Sequence, residues 1–327
     1  MKETIDLFCA LGRLLSDFGN DAPSRRALEA ACAANEWFSP GDVRRAVQAL
    51  AEEMLQPDKL AQWLARYPAL PVTAPRNVLV VMAGNIPLVG FFDLLCTLAA
   101  GHRCTIKPSS KDTVLMEYVV GLLRGIDPAV PVRFHDDTES VEAVIATGSN
   151  NAVRYFQSRY AGIPALLRGS RQSVAVLSGR ETPRQIEGLC DDIWAYSGLG
   201  CRNVSLIFAP EGYEAKLHIK QVNSKYRSNY IQQKALLVMQ RVPFVDLGGA
   251  VLVEQREFPE ALSRIAVSRY RSPEEVSEWL ALHDGELQCV VSECISHSRR
   301  VGFGKSQTPT LFDYPDDRDI LDWLSKI

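Results

Sequence analysis

Val78-Leu79-Val80-Val81, running into Met82-Ala83-Gly84-Asn85-Ile86-Pro87, and Arg103-Cys104-Thr105-Ile106, running into Lys107-Pro108-Ser109-Ser110, are the stretches that decide the fold. Each is a short strand closed by turn-forming residues. The apolar segment between them reads as a buried helix that begins at the Asn85-Ile86-Pro87 turn and reaches Ala100. Strand, helix and strand joined by short connections predict right-handed crossovers and parallel pairing.

The pattern continues outward. Downstream, a helix is expected over residues 114–123, strands over 130–134 and 143–147, and another helix from Gly148-Ser149. Strands at 174–177 and 204–208 flank a helix through Ile186 and Ile193, and a long helix is expected over 213–240. Strands near Val251, Ile265 and Val290 then alternate with a helix at 273–282, and a last helix at 319–326 is anchored by Trp323 and Leu324. Upstream, the first 70 residues read as helical. Ile5, Phe8, Leu11, Leu15 and Phe18 recur at helical spacing, while Asp6, Arg13 and Asp17 interrupt any signal-peptide core. Ser39-Pro40 supplies an N-cap and a first-turn proline for a helix ending near Leu55, and a shorter helix follows Pro57. A chain of 327 residues exceeds one ordinary domain. The fold class expected is α/β with two parallel-sheet domains and an N-terminal helical segment. The domains are expected at 1–166 (helices plus nucleotide-binding domain) and 167–300 (catalytic domain), with 301–327 a C-terminal segment that returns to the first domain or makes an oligomer contact.

Composition excludes several function classes. With 36 basic and 39 acidic side chains the formal net charge is only -3, which gives no basis for nucleic acid or an anionic membrane as main partner. No apolar run reaches the ~18 residues of a membrane span. The eight cysteines contain no CxxC pair, so no metal site is expected, and thiols in a reducing cytoplasm are.

Four places carry chemistry. Cys201 lies in Ser197-Gly198-Leu199-Gly200-Cys201-Arg202-Asn203, ahead of an apolar strand. The glycines let the backbone approach a substrate and aim an N–H at a reacting carbonyl, and Arg202 favours the thiolate. The alternative is a small core hydrophobe. Asn85, between strand and helix, is either an oxyanion donor or a plain helix cap. Lys107, Ser109 and Ser110 end a strand where open α/β sheets bind ligands, and suit ribose or phosphate oxygens; the alternative is a solvated loop. Thr147-Gly148-Ser149 joins strand to helix and either holds a pyrophosphate or simply starts the helix. No GxGxxG fingerprint and no P-loop occurs.

In this order the four sites resemble the aldehyde dehydrogenase superfamily, and within it the LuxC-type fatty acyl-CoA reductases. The resemblance is carried by Ala83-Gly84-Asn85-Ile86-Pro87-Leu88-Val89-Gly90-Phe91 with Asp93-Leu94-Leu95-Cys96, by Gly101-His102, by the 107–112 stretch, and by Gly302-Phe303-Gly304-Lys305-Ser306-Gln307-Thr308-Pro309. It implies Cys201 as nucleophile and Asn85 as oxyanion donor beside the Cys201 N–H. It implies Lys107 and Ser109 on the adenosine ribose and its phosphate, and Gly148-Ser149 along the cofactor pyrophosphate. Hydrolytic members carry a glutamate where this chain has Leu167, in Leu167-Arg168-Gly169-Ser170. Without that base, water is not activated against an acyl-enzyme. NAD-selective members carry a glutamate where Ser110 stands, so NADPH is the inferred reductant and NADH the alternative. The nicotinamide-ribose contact of the family is not intact: Glu257-Phe258-Pro259 and Glu254 are candidates. The function so implied is reduction of an acyl-CoA or acyl-carrier-protein thioester to an aldehyde in the cytoplasm, with a homodimer expected. The rival readings are a CoA-acylating aldehyde dehydrogenase on short chains, a Cys acyltransferase or thioesterase without nicotinamide, and a silent binding subunit.

Overall fold

A computed structural model describes residues 2–136 and 140–327. Four helices lead the chain: α1 (Lys2–Ser16), α2 (Ala22–Ala34), α3 (Pro40–Glu53) and α4 (Pro57–Leu64). Their start signals are local. Asp21 and Ser39 accept from the Ser24 and Asp42 N–H groups, and α2, α3 and α4 carry proline in the first turn. Then come β1 (Asn77–Val81), α5 (Phe91–Ala99), β2 (Arg103–Lys107), α6 (Thr113–Ile126), β3 (Val132–Phe134), β4 (Ala143–Thr147), α7 (Asn150–Arg159) and β5 (Ala165–Arg168). The strands form one parallel sheet in the order β3-β2-β1-β4-β5.

A second run follows: β6 (Gln172–Val176), α8 (Pro183–Trp194), β7 (Val204–Pro210), α9 (Ser224–Gln240), β8 (Val245–Asp246), β9 (Val251–Glu254), β10 (Arg264–Tyr270), α10 (Pro273–Leu282), β11 (Leu287–Ser292) and β12 (Arg300–Val301). Its sheet, ordered β12-β11-β6-β7-β10-β9-β8, is parallel except where β8 runs antiparallel to β9. A last helix, α11 (Ile320–Ser325), closes the chain. Two compact units result, Met1–Ser170 with Thr310–Ile327, and Arg171–Pro309. The expected parallel α/β architecture with a helical N-terminus is the observed one. Among the described residues, no helix is long and apolar enough to cross a membrane.

The helix expected over 213–240 is shorter than its sequence suggested: only Ser224–Gln240 is helical. Exposure over 213–219 alternates residue by residue, the period of an extended segment. Asn223 starts the helix by accepting from the Lys225 N–H. The strand Ala165–Arg168, absent from the sequence reading, is the fifth strand of the first sheet.

In the first unit, the apolar faces of the N-terminal helices pack with α5, α6 and α11 into one core containing Phe8, Leu11, Trp63, Phe91, Leu95, Ile106 and Leu324. The C-terminal segment is pinned by polar contacts as well. Trp63 Nε1 donates to Tyr314 Oη at 2.7 Å, and Tyr67 Oη donates to Asp319 at 2.6 Å. The second unit centres on Val174, Leu206, Phe208, Ala266 and Val290, with Trp279 of α10 set against Phe208.

His102 is wholly buried at the head of β2. The Arg76 N–H donates to its Nδ1 at 3.0 Å, so the neutral ring carries its proton on Nε2, which lies 2.9 Å from the Leu324 carbonyl. Burial holds its pKa below the ordinary imidazole value. The folded state therefore binds this proton less tightly than the unfolded chain, and the stabilisation is full above pH ~6.5 and lost as pH falls below it. His102→Ala leaves a buried donor and a buried acceptor unmatched and should cost ~2–4 kcal/mol at neutral pH. Urea unfolding of parent and variant across pH 5 to 8 checks this: the gap between them should narrow in acid, and a constant gap would contradict the assignment.

Candidate functional site

In the first unit the chain goes from β1 to β2 on one side and reaches β4 on the other. The crevice beyond the C-terminal ends of β1 and β4 is thus the switch point at which open α/β sheets take ligands. The 83–90 turn and the 107–112 loop meet beside it, at the C-terminal ends of β1 and β2. The Met82 N–H donates to the Lys107 carbonyl at 3.0 Å. Gly84 lies so close to the loop that a Cβ would sit 2.6 Å from Ser109 Cβ, so only glycine allows this approach. Leu88 takes a left-handed backbone (φ 56) and its N–H donates to Asp112 Oδ2 at 2.7 Å. Asp112 is itself buried, and burial pushes its carboxyl up to about 8 against that single hydrogen bond. Asn85, Lys107 and Ser110 are exposed, and Ser109 is half-buried, its Oγ accepting from the Lys111 N–H at 3.3 Å.

The Thr147-Gly148-Ser149 turn ends β4 in the same sheet, but its side chains face inward tasks. Thr147 Oγ1 accepts from Arg168 Nε at 3.0 Å and Nη2 at 2.6 Å. Ser149 Oγ caps α7 by accepting from the Ala152 N–H, and the Gly148 N–H donates to the Arg168 carbonyl. An anion at this turn would therefore meet the N–H groups of the first turn of α7 rather than the Thr147 or Ser149 hydroxyls.

Arg168 was not singled out by sequence reading. It forms a buried ion pair with Asp93 of α5, both side chains about 5% exposed or less. The available signal is a lone acid in a wholly buried helix whose other residues are uncharged, which requires a cation nearby. The cation is 75 residues away, beyond any local pattern. Leu167, beside it, packs an apolar side chain against the Leu79, Val144 and Ala146 cluster.

In the second unit, Cys201 is exposed on the turn between α8 and β7. Tyr196, Ser197 and Gly198 are all left-handed, with φ of 53, 53 and 71. Two consecutive non-glycine residues in this region cost about 1–3 kcal/mol each and persist only where surroundings over-determine them. Here the surroundings do. Asn203 Nδ2 donates to the carbonyls of Asp192, Ile193 and Ala195 at 2.9–3.1 Å, while its Oδ1 accepts from the Gly200 N–H at 2.8 Å. The Ser197 hydroxyl accepts from the Asn223 N–H, and Ser173 Oγ donates to the Cys201 carbonyl at 2.9 Å. Burial raises the thiol pKa of Cys9, Cys96, Cys104 and Cys190, as expected of inert core thiols, whereas Cys201 and Cys294 are exposed. Cys294 sits beside the Val176 carbonyl and the Ser292 hydroxyl. Glu254 and Glu257 are both exposed in the second unit; Phe258 packs its ring on Trp279.

Comparison with solved structures shows an aldehyde-dehydrogenase-like fold. An oxidoreductase from Marinobacter aquaeolei superposes with a TM-score of 0.65 at 13% identity, over 94% of this chain and 79% of that one. Aldehyde dehydrogenase 21 from Physcomitrella patens gives 0.66 at 12% identity, over 99% and 83%. An acetylating aldehyde dehydrogenase from Geobacillus thermoglucosidasius gives 0.63 at 12% identity, over 95% and 85%. A curated long-chain acyl-protein thioester reductase of Aliivibrio fischeri is 26% identical over 165 residues, 43% of this chain; the match spans about a third (34%) of that relative's length. The model of the acyl-CoA reductase (LuxC) family matches residues 19–227, more than half of the sequence, and the chain belongs to that family.

Proposed function

We propose that this protein reduces an acyl thioester, acyl-CoA or acyl-carrier protein, to the aldehyde through an acyl group held on Cys201. The observation that carries the reading is an exposed thiol on a turn of forced left-handed geometry, in a chain of this family. The Cys201 thiolate adds to the thioester carbonyl; the Cys201 N–H would meet the oxyanion, and the family resemblance gives the Asn85 amide the same role. The C–S bond to the leaving thiol breaks, the thiol departs as thiolate, and the acyl group stays on Cys201. A bound reduced nicotinamide would supply the hydride that takes this thioester to the aldehyde level. Collapse of the resulting thiohemiacetal releases aldehyde and returns the Cys201 thiolate. Hydrolytic members of the superfamily carry a glutamate where this chain has Leu167, so the resemblance favours thiol exchange over hydrolysis of the acyl group.

The donor set of the 107–112 loop fits a phosphorylated nicotinamide nucleotide. Lys107, Ser109, Ser110 and Lys111 contribute cations and hydroxyls. The loop's one carboxyl, Asp112, with a pKa of about 8, is largely protonated at neutral pH, so little anionic charge opposes a 2′-phosphate. Lys107, Ser109 and Ser110 would hold the adenosine ribose and its phosphate, and the first turn of α7 after Thr147, Gly148 and Ser149 would hold the pyrophosphate. By the same reasoning NADPH is favoured over NADH.

Incubation with long-chain acyl-CoA in the absence of reductant, followed by intact-mass measurement, should show one acyl adduct on the parent and none on Cys201→Ala. An adduct persisting in Cys201→Ala would end this proposal. Asn85→Ala should slow acylation by ~10²–10³, the usual loss for one oxyanion donor. Ser110→Glu should weaken NADPH binding by about tenfold or more through like-charge repulsion while leaving NADH nearly unchanged; equal losses for both, read by nucleotide fluorescence titration, would contradict the assignment of this loop.

A further inference from the structure

Gly302-Phe303-Gly304-Lys305-Ser306-Gln307 carries part of the resemblance. In the second unit it lies on α8 at backbone contact. A Cβ on Gly188 would fall 2.8 Å from the Gly304 nitrogen and 2.9 Å from the Phe303 carbonyl carbon. One turn further along α8, Asp192 is 1% exposed, and both its oxygens face this loop. The Gly304 N–H donates to Oδ2 at 2.7 Å, and the Ser306 N–H donates to Oδ1 at 2.9 Å. The Ser306 carbonyl in turn accepts from Arg202 Nε at 2.5 Å. The backbone carbonyl of Asp192 is one of the three held by Asn203. Cys201 is thus bracketed: Gly200 is tied to Asn203, Arg202 to Ser306, and both ties lead back to Asp192.

We propose that Asp192 is a positioning residue for the Cys201 nucleophile, acting through the 302–306 loop as a strut that holds Arg202, the residue next to Cys201 in the chain. The assignment rests on Cys201 being the acyl acceptor. A carboxylate is the side chain the geometry requires, because two backbone donors meet two oxygens and an amide could accept from only one of them. With one N–H unmatched, the loop loses its seat on α8, and Arg202 loses the carbonyl that aims its guanidinium.

The test uses the full-length protein and iodoacetamide, with neither acyl substrate nor nucleotide. Alkylation of Cys201 is followed by peptide mass spectrometry across pH 6 to 10, with Cys294 as internal control. Asp192→Asn and Arg202→Ala should each slow Cys201 alkylation about tenfold at pH 7.5 and move its pH profile upward, since the cation next to Cys201 in the chain is freed in one variant and removed in the other. Cys294 should react at the parent rate in both. The double variant should be no slower than the slower single one, because both changes break the same strut. Direct loss of a nearby carboxylate has the opposite sign: it would move the profile downward in Asp192→Asn. A downward or absent shift, or effects that multiply in the double variant, would overturn the proposal. Should Asp192→Asn not fold, Arg202→Ala and its rescue by Arg202→Lys decide alone: an unchanged profile in Arg202→Ala overturns it. If the parent thiol forms no acyl adduct while these shifts appear, the functional reading fails and the strut stands.

Discussion

The second unit's exposed turn depends on one buried amide. A helix that stops leaves its last carbonyls without partners, and α8 stops because Tyr196, Ser197 and Gly198 swing into left-handed conformation. Asn203 gathers the carbonyls of Asp192, Ile193 and Ala195 on its Nδ2 and holds the Gly200 N–H with its Oδ1. The two hydrogens of Nδ2 are shared among three acceptors, an arrangement that fixes the side chain in one rotamer. Breaking it would orphan several buried backbone groups at about 1–3 kcal/mol each, comparable to the strain of the left-handed run. The strain and the clamp therefore exist as a pair. Chain between helix end and Asn203 has little freedom left, and Cys201 is on that stretch.

The first unit solves the same problem with carboxyls. The left-handed backbone of Leu88 persists because Asp112 accepts its N–H, and Gly84 lets the 83–90 turn close on Ser109 without a side chain in the way. The two buried acids of this unit are handled differently. Among the described residues Asp112 has one donor and no cation, so burial raises its pKa to about 8 and the neutral form dominates at pH 7. Asp93 is paired with Arg168, and Arg168 in turn fixes Thr147. Such a pair stabilises little, since desolvation offsets most of its attraction, but losing either member leaves a buried charge uncompensated.

Legibility in the sequence followed the range of each interaction. Strands β1 and β2, the 83–87 turn, the Ser39-Pro40 helix start and the 273–282 helix rest on residues within a few positions of one another, and these were readable. Residues 213–223 read as helix in the sequence because Lys216, Leu217, His218 and Ile219 have no local feature that forbids one. What holds them out is tertiary: the His218 N–H meets Cys190 Sγ, and Asn223 is tied to Ser197. Arg168 carries no local signal for the same reason, its partner Asp93 lying in α5. Among the candidate site residues, the structure exposes Cys201, Asn85 and Ser110 outside helices and strands and Lys107 at the end of β2. Thr147 was legible as to place but not as to orientation, because Arg168 decides where its hydroxyl points.

These two forms of control have different consequences for the chemistry-bearing turns. A turn held by backbone hydrogen bonds of neutral groups, as at Asn203, is insensitive to pH in the working range. A turn held by a carboxyl is not. Asp192 is buried, and burial pushes it up to about 6 even though the N–H groups of Gly304 and Ser306 favour its charged form. Asp191, the adjacent acid on α8, pushes in the same upward direction. Ionised, both oxygens accept; protonated, one of them presents an O–H to an N–H donor, and the seat of the 302–306 loop is spoiled. The second unit thus joins a pH-indifferent clamp on one side of Cys201 to a carboxylate-dependent one on the other. Of the two, only the carboxylate side can loosen without unfolding α8, because the Asn203 side also closes the helix end.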